Sequence, residues 1–153
     1  AGRLRDSMSM LHLTYQVPGD DFTRAGEASG DVKHKLKKLG YEPDAVRRVS
    51  IAMYEGEINM VIHANGGEAT VDIDPDRVDI ILKDQGPGIA DVDQAMQAGW
   101  STAPDNVRAL GFGAGMGLPN MKKYSDEMSI DSVVGEGTTV YMTVFPGRKE
   151  EGR

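Results

Sequence analysis

Apolar and polar positions alternate over residues 8–17, the two-residue period of a half-buried strand, and Pro18-Gly19-Asp20 closes it. The period then becomes helical over residues 22–39. Asp20 or Asp21 is placed to cap the first turn, and Lys35, Lys37 and Lys38 sit favourably in the last. Gly26 and Gly30 weaken the middle of that helix, and Gly40 ends it. A second helix opens at Pro43 and Asp44 and runs to about Ala64, where Asn65-Gly66-Gly67 stops it. Strands follow over 68–73 and 78–83, joined by an Asp74-Pro75-Asp76 turn. A short helix is expected over 91–98, a long loop over 99–115 and a helix over 118–124. Strands over 128–133 and 138–145 close the pattern, with Gly135-Glu136-Gly137 as their turn. These elements predict an α/β, two-layer sandwich: a mixed, mostly antiparallel sheet with helices on one face. No repeat or composition break divides the chain, so residues 1–153 read as one domain with a frayed tail over 146–153.

Composition narrows the function. The chain has 153 residues, 39% hydrophobic and 27% charged, and no long apolar run, so no membrane role is expected. A net charge of −7 argues against a nucleic-acid partner. Without cysteine there is no disulfide, thiolate metal site or cysteine nucleophile. No charged-then-apolar leader opens the chain, which sets a cytoplasmic location as the default. An anionic ligand must therefore be held by local donors such as glycine amides, a metal ion or a few cationic side chains.

Three clusters carry candidate chemistry. On the second helix, Glu55, Asn59 and His63 stand four positions apart on one stripe between apolar flanks. A partly exposed polar seam would share that pattern. In a cleft, however, Asn59 offers an amide oxygen to a hard cation, and Glu55 can orient or deprotonate an attacking hydroxyl. His63 by itself reads more readily as a structural histidine. The second cluster, Asp84-Gln85-Gly86-Pro87-Gly88-Ile89, follows a strand. Its carboxylate can accept from the exocyclic amine of adenine, where guanine presents a carbonyl, or simply cap a turn. The third places Gly111, Gly113, Gly115 and Gly117 before a helix, where free backbone amides favour bound anions. Arg108, just upstream, is the candidate cation for terminal phosphate charge. No GxxxxGK[ST] sequence and no GxGxxG opening a βαβ unit are present, which sets aside P-loop and Rossmann readings.

In this order the clusters resemble the GHKL group of ATPases and kinases. Glu55-x-x-x-Asn59 is similar to the group's N-box, Asp84-x-Gly86-x-Gly88 to its first glycine box, and Gly113 to Gly117 to its second. Gly137-Thr138-Thr139 resembles the glycine–threonine pair that follows in these proteins. Within the group the chain looks most like the small serine kinases of bacterial partner-switching systems, anti-sigma factors and switch kinases. The carrying stretches are Ala95-Met96-Gln97, Ser101-Thr102 and Gly115-Met116-Gly117-Leu118-Pro119-Asn120-Met121-Lys122-Lys123. The resemblance implies the Bergerat ATP-binding fold, ATP with Mg²⁺ as cofactors, and a serine or threonine on a small STAS-domain protein as phosphoacceptor. It assigns Mg²⁺ to Asn59, the catalytic base to Glu55 and adenine to Asp84. Gly86, Gly88, Ile89, Gly113, Gly115, Met116, Gly117 and Leu118 would shape the nucleotide pocket, with His63 beside it and Thr139 on the adenine side. A sigma factor is the alternative partner, and an isolated histidine-kinase ATPase domain or a nucleotide sensor without turnover the further readings. Homodimer and monomer both fit. Two residues depart from the family's pattern: Met60 is expected to crowd the pocket, and Gly56 to loosen the helix that carries the base.

Overall fold

Among the described residues, five strands form a single sheet because each alternates an apolar face with a polar one, which leaves one side to be covered by helices. The computed structural model describes residues 11–19, 21–97 and 117–147. In chain order the elements are β1 (Leu11–Pro18), α1 (Glu27–Lys38), α2 (Pro43–His63), β2 (Gly66–Ile73), β3 (Val78–Lys83), α3 (Val92–Ala95), α4 (Gly117–Tyr124), β4 (Glu127–Val133) and β5 (Gly137–Val144). The sheet order is β1-β2-β3-β5-β4. Every pairing among the described residues is antiparallel, where the sequence had suggested a mixed sheet.

Register explains the core. Val71, Ile80 and Met142 stand side by side across β2, β3 and β5, and Ile73, Val78 and Val144 form the next row. All six are buried, and Val32, Leu36, Val49, Ala52 and Met53 of α1 and α2 cover them. The other sheet face carries Thr70, Ile81 and Tyr141 in one row and Asp72, Asp79 and Thr143 in the next. Asp72 and Asp79 are like charges on adjacent strands; His12 pairs with the first at 2.5 Å and Arg77 with the second at 2.8 Å.

The first helix starts later than its periodicity predicts. Gly26 adopts φ 98°, a left-handed conformation that breaks helical hydrogen bonding, and residues 22–26 form turns instead. No side chain at this N-cap closes the exposed amides. Glu57 of α2 does so from across the interface. Its buried carboxylate accepts from Gly26 N at 3.0 Å, Ala28 N at 3.1 Å and Ser29 N at 3.0 Å. The cap expected from Asp20 or Asp21 is therefore replaced by a carboxylate that locks α1 to α2, two residues beyond Glu55.

Candidate functional site

Helix α2 is the spine on which the site is built. Pro43 occupies its first turn, where a missing N–H costs nothing, and the helix runs unbroken to His63. Its buried residues include Val49, Met53, Gly56, Met60 and Val61, so Glu55, Asn59 and His63 are left half-buried on the remaining stripe. Burial raises the Glu55 carboxyl above its usual 4.5, and a contact from Asn120 of α4 opposes that rise. Asn120 Nδ2 donates to Glu55 Oε2 at 3.5 Å. Burial also lowers the His63 imidazole below its usual 6.5, favouring the neutral ring.

Helix α4 meets α2 so closely that a side chain at its first residue, Gly117, would displace the Asn59 amide. A Cβ on Gly117 would stand 2.7 Å from Asn59 Nδ2 and 2.8 Å from Asn59 Oδ1. The same holds at Gly56, where a Cβ would overlap Leu82 Cδ1 and lie 3.3 Å from Met121 Cε. Gly56 is thus a close-approach point between α2, β3 and α4, not the loosened position the sequence suggested. Met60 lies near the start of the Asp84 loop. Its side chain is buried in the core and reaches toward Gly67, where a Cβ would come within 2.5 Å of Met60 Cε.

The loop after β3 is fastened on two sides. Asp84 Oδ1 accepts from Gly86 N at 2.9 Å and from Thr138 N at 3.1 Å, while Asp84 N donates to Thr138 O at 2.9 Å. Among the described residues Oδ2 makes no hydrogen bond, which leaves one carboxylate oxygen for a ligand donor. Gly86 lies against the end of α2, its missing Cβ 2.7 Å from Ala64 Cα. Gly88, at φ 78°, passes the β4–β5 turn, where Gly135 N donates to Pro87 O at 2.8 Å. Ile89 N donates to Ser132 Oγ at 2.8 Å, and that oxygen is 2.8 Å from Thr138 Oγ1.

Glu55, Asn59 and Gly117 are thus brought together at the middle of α2, and Asp84, Gly86, Gly88 and Ile89 are tied to its far end and to the β4–β5 hairpin. Two expected residues are placed elsewhere. Thr139 pairs in register with Lys83 and Asp131, on the sheet face turned away from the helices. Strand alternation puts Thr138 on the Asp84 side instead. Leu118 is buried in the core, so its side chain is committed to packing. Arg108, Gly113, Gly115 and Met116 lie outside the described residues. Sequence reading missed Asn120, which stands three positions after Gly117 and therefore on its face of α4. It also missed Glu57, whose cap crosses between helices and has no local signature. A cleft of about 520 Å³ lies on the opposite sheet face, lined by Asp72, Arg77, Asp79 and Tyr141 among others, and shares none of these groups.

A half-buried carboxylate, a neutral oxygen donor one turn away and a second carboxylate held by backbone amides can serve a phosphate-bearing purine and its metal. The fit to a magnesium ion rests on Asn59. Its amide is confined by Gly117, and a hard ion that keeps several waters and phosphate oxygens needs few protein ligands. Among the described residues no three acidic or histidine side chains form a metal cage of their own, and no helix is long and apolar enough to cross a membrane.

Comparisons with known proteins show the family and the fold. The family model for the histidine kinase-like ATPase domain matches residues 22–144. The serine/threonine-protein kinase RsbT of Bacillus subtilis (strain 168) is 36% identical over 112 residues, covering 71% of this chain and 78% of that protein. An anti-sigma F factor of Caldanaerobacter subterraneus is 32% identical over 110 residues, 69% of this chain and 73% of its own. A chain from the crystal structure of the SiaB-SiaC complex of Pseudomonas aeruginosa superposes with a TM-score of 0.61 at 12% identity. That match covers 94% of this chain and 95% of the other, and shows the shared fold.

Proposed function

The chain belongs to the histidine kinase-like ATPase family, and we propose that it works as an ATP-dependent serine/threonine-protein kinase of a partner-switching system. Its substrate in this reading is a hydroxyl on a small STAS-domain protein, met in the cytoplasm. The carrying observation is the spacing along one helix: Glu55 and Asn59 face the start of α4, while Ala64 touches the Asp84 loop. Base, metal ligand and purine acceptor then lie along one direction, as the parts of a nucleoside triphosphate do.

Each residue has a separate task. The free oxygen of Asp84 accepts from the adenine amine, and Gly86 and Gly88 let the base lie close to the backbone. Asn59 Oδ1 supplies one oxygen toward magnesium, which when bound offsets charge on the phosphate oxygens. Glu55 accepts the proton of the attacking hydroxyl as its oxygen bonds to the γ-phosphorus and the bond to the β–γ bridging oxygen breaks, releasing ADP. Burial suits Glu55 to this task, since a carboxyl raised above 4.5 is a stronger base. Thr138, not Thr139, supports the adenine side through its backbone contact with Asp84.

The test is Glu55→Gln. Incubation with Mg-ATP and a STAS-domain protein, read by mass spectrometry of phosphoserine and phosphothreonine, should show transfer reduced by about 10²-fold or more. ATP affinity by calorimetry should remain within about threefold. Undiminished transfer would remove Glu55 as base, and absence of magnesium-dependent ATP binding would remove the nucleotide reading altogether. Sequestration of a sigma factor is a second reading, favoured by the relatives named anti-sigma F factor. It calls for ATP-dependent binding of such a factor by the intact chain.

A further inference from the structure

We propose that Asn120 is a positioning residue for Glu55, fixing the carboxylate of the base through the first turns of α4; this rests on the reading of Glu55 above. The geometry comes from the way α4 packs on α2. The two helices meet at three places: Gly117 lies against Asn59, Asn120 one turn later reaches back to Glu55, and Met121 lies near Gly56. A Cβ at Gly56 would overlap the Leu82 side chain, and Met121 is fully buried beside it, so close packing at this point opposes a slide of register. Asn120 is thereby held where its amide nitrogen reaches Glu55 Oε2 at 3.5 Å, while Gly117 confines the amide of Asn59. One short helix thus contacts both groups that the proposed reaction uses.

The contact has a chemical consequence of definite sign. An N–H directed at a carboxylate favours its charged form, and burial disfavours it. For Glu55 these two are the causes of the shift, burial the larger and Asn120 the opposing one. Charged neighbours among the described residues do not contribute. Glu57 is engaged with the amides of α1, Lys122 and Lys123 are on the exposed flank of α4, His63 is two turns away, and the sheet presents Leu82. Loss of the Asn120 donor therefore leaves burial unopposed and makes Glu55 harder to ionise. An acceptor in its place does so more strongly.

The experiment compares wild type, Asn120→Ala and Asn120→Asp. In the transfer assay, KM for ATP should stay within about twofold while kcat at neutral pH falls by about tenfold. The acid limb of the pH–kcat profile should move upward by roughly half to one unit in Asn120→Ala. It should move further in Asn120→Asp, which keeps the side-chain shape but removes the donor. Carbon-13 titration of the Glu55 carboxyl in wild type and Asn120→Asp should give the same order without turnover, so the result holds even if Asn120→Ala folds poorly. A merely structural asparagine would lower stability and leave both titrations in place. Coincident acid limbs and carboxyl titrations, with Glu55→Gln inactive, would overturn the role of Asn120 alone. Full activity of Glu55→Gln would overturn it together with the base assignment.

Discussion

At the scale of single residues, Asp84 has one carboxylate oxygen engaged in the fold, and the proposed function gives the other a selective task. Oδ1 closes the loop by accepting from Gly86 N and Thr138 N, and Oδ2 is left for the ligand. Asn in its place keeps an oxygen for the two amides but turns the other position into a donor, which meets the adenine amine donor to donor. Asp84→Asn should therefore leave the fold within about 1 kcal/mol of wild type, yet weaken ATP binding by roughly tenfold or more. The relative affinity for GTP should rise, because guanine carries an acceptor there. Calorimetry with both nucleotides checks this; equal affinities for wild type and variant would show that Asp84 only closes the turn. The neighbouring threonines teach a related lesson. Thr138 and Thr139 are indistinguishable by type, and only strand parity decides that the first faces Asp84 and the second the open face.

At the scale of elements, what was legible in the chain was whatever local pattern decides. Helix α2 starts at Pro43 as expected and ends one residue before the predicted Ala64, and β3 matches its predicted bounds, because periodicity and turn residues act within a few positions. Glu55, Asn59 and His63 fell on one stripe for the same reason. The start of α1 was misread because its cap comes from Glu57, 31 positions from Gly26, and nothing near Asp21 announces it. Gly56 was misread for the opposite reason: local propensity marks it as a weakness, whereas tertiary packing makes it a requirement. These two accounts predict opposite signs for Gly56→Ala. Propensity alone gives a gain of about 1 kcal/mol. Overlap with the buried Leu82 and contact with Met121 costs about 1–3 kcal/mol, so net destabilisation is expected. Thermal unfolding should show a lower Tm for Gly56→Ala, partly restored when Leu82→Ala is added. A higher Tm would mean that Leu82 yields freely and the close approach carries no energy.

At the scale of the whole molecule, the site depends on holding a helix from the first half of the chain against a hairpin from the last third. The apolar layer does most of this, but it is non-directional and leaves the rotation of α2 over β4 and β5 loosely set. Arg48 sets it. Buried to 2% exposure, its guanidinium donates from Nε to Asp44 Oδ2 at 3.0 Å, from one terminal nitrogen to Asp126 Oδ2 at 2.9 Å, and from the other to Phe145 O at 3.0 Å. Asp126 Oδ2 also accepts from Phe145 N at 2.7 Å, so the ends of both closing strands are gathered at one cation. Removing the cation alone leaves two carboxylates in poorly hydrated surroundings, at a cost of about 3–5 kcal/mol. Arg48→Met, similar in volume, should show that loss in urea unfolding. Adding Asp126→Asn should recover part of it, with a coupling of about 0.5–3 kcal/mol. A loss under about 1 kcal/mol would mean the hairpin is oriented by packing alone, and the buried ion pairs would then be neutral passengers of the fold.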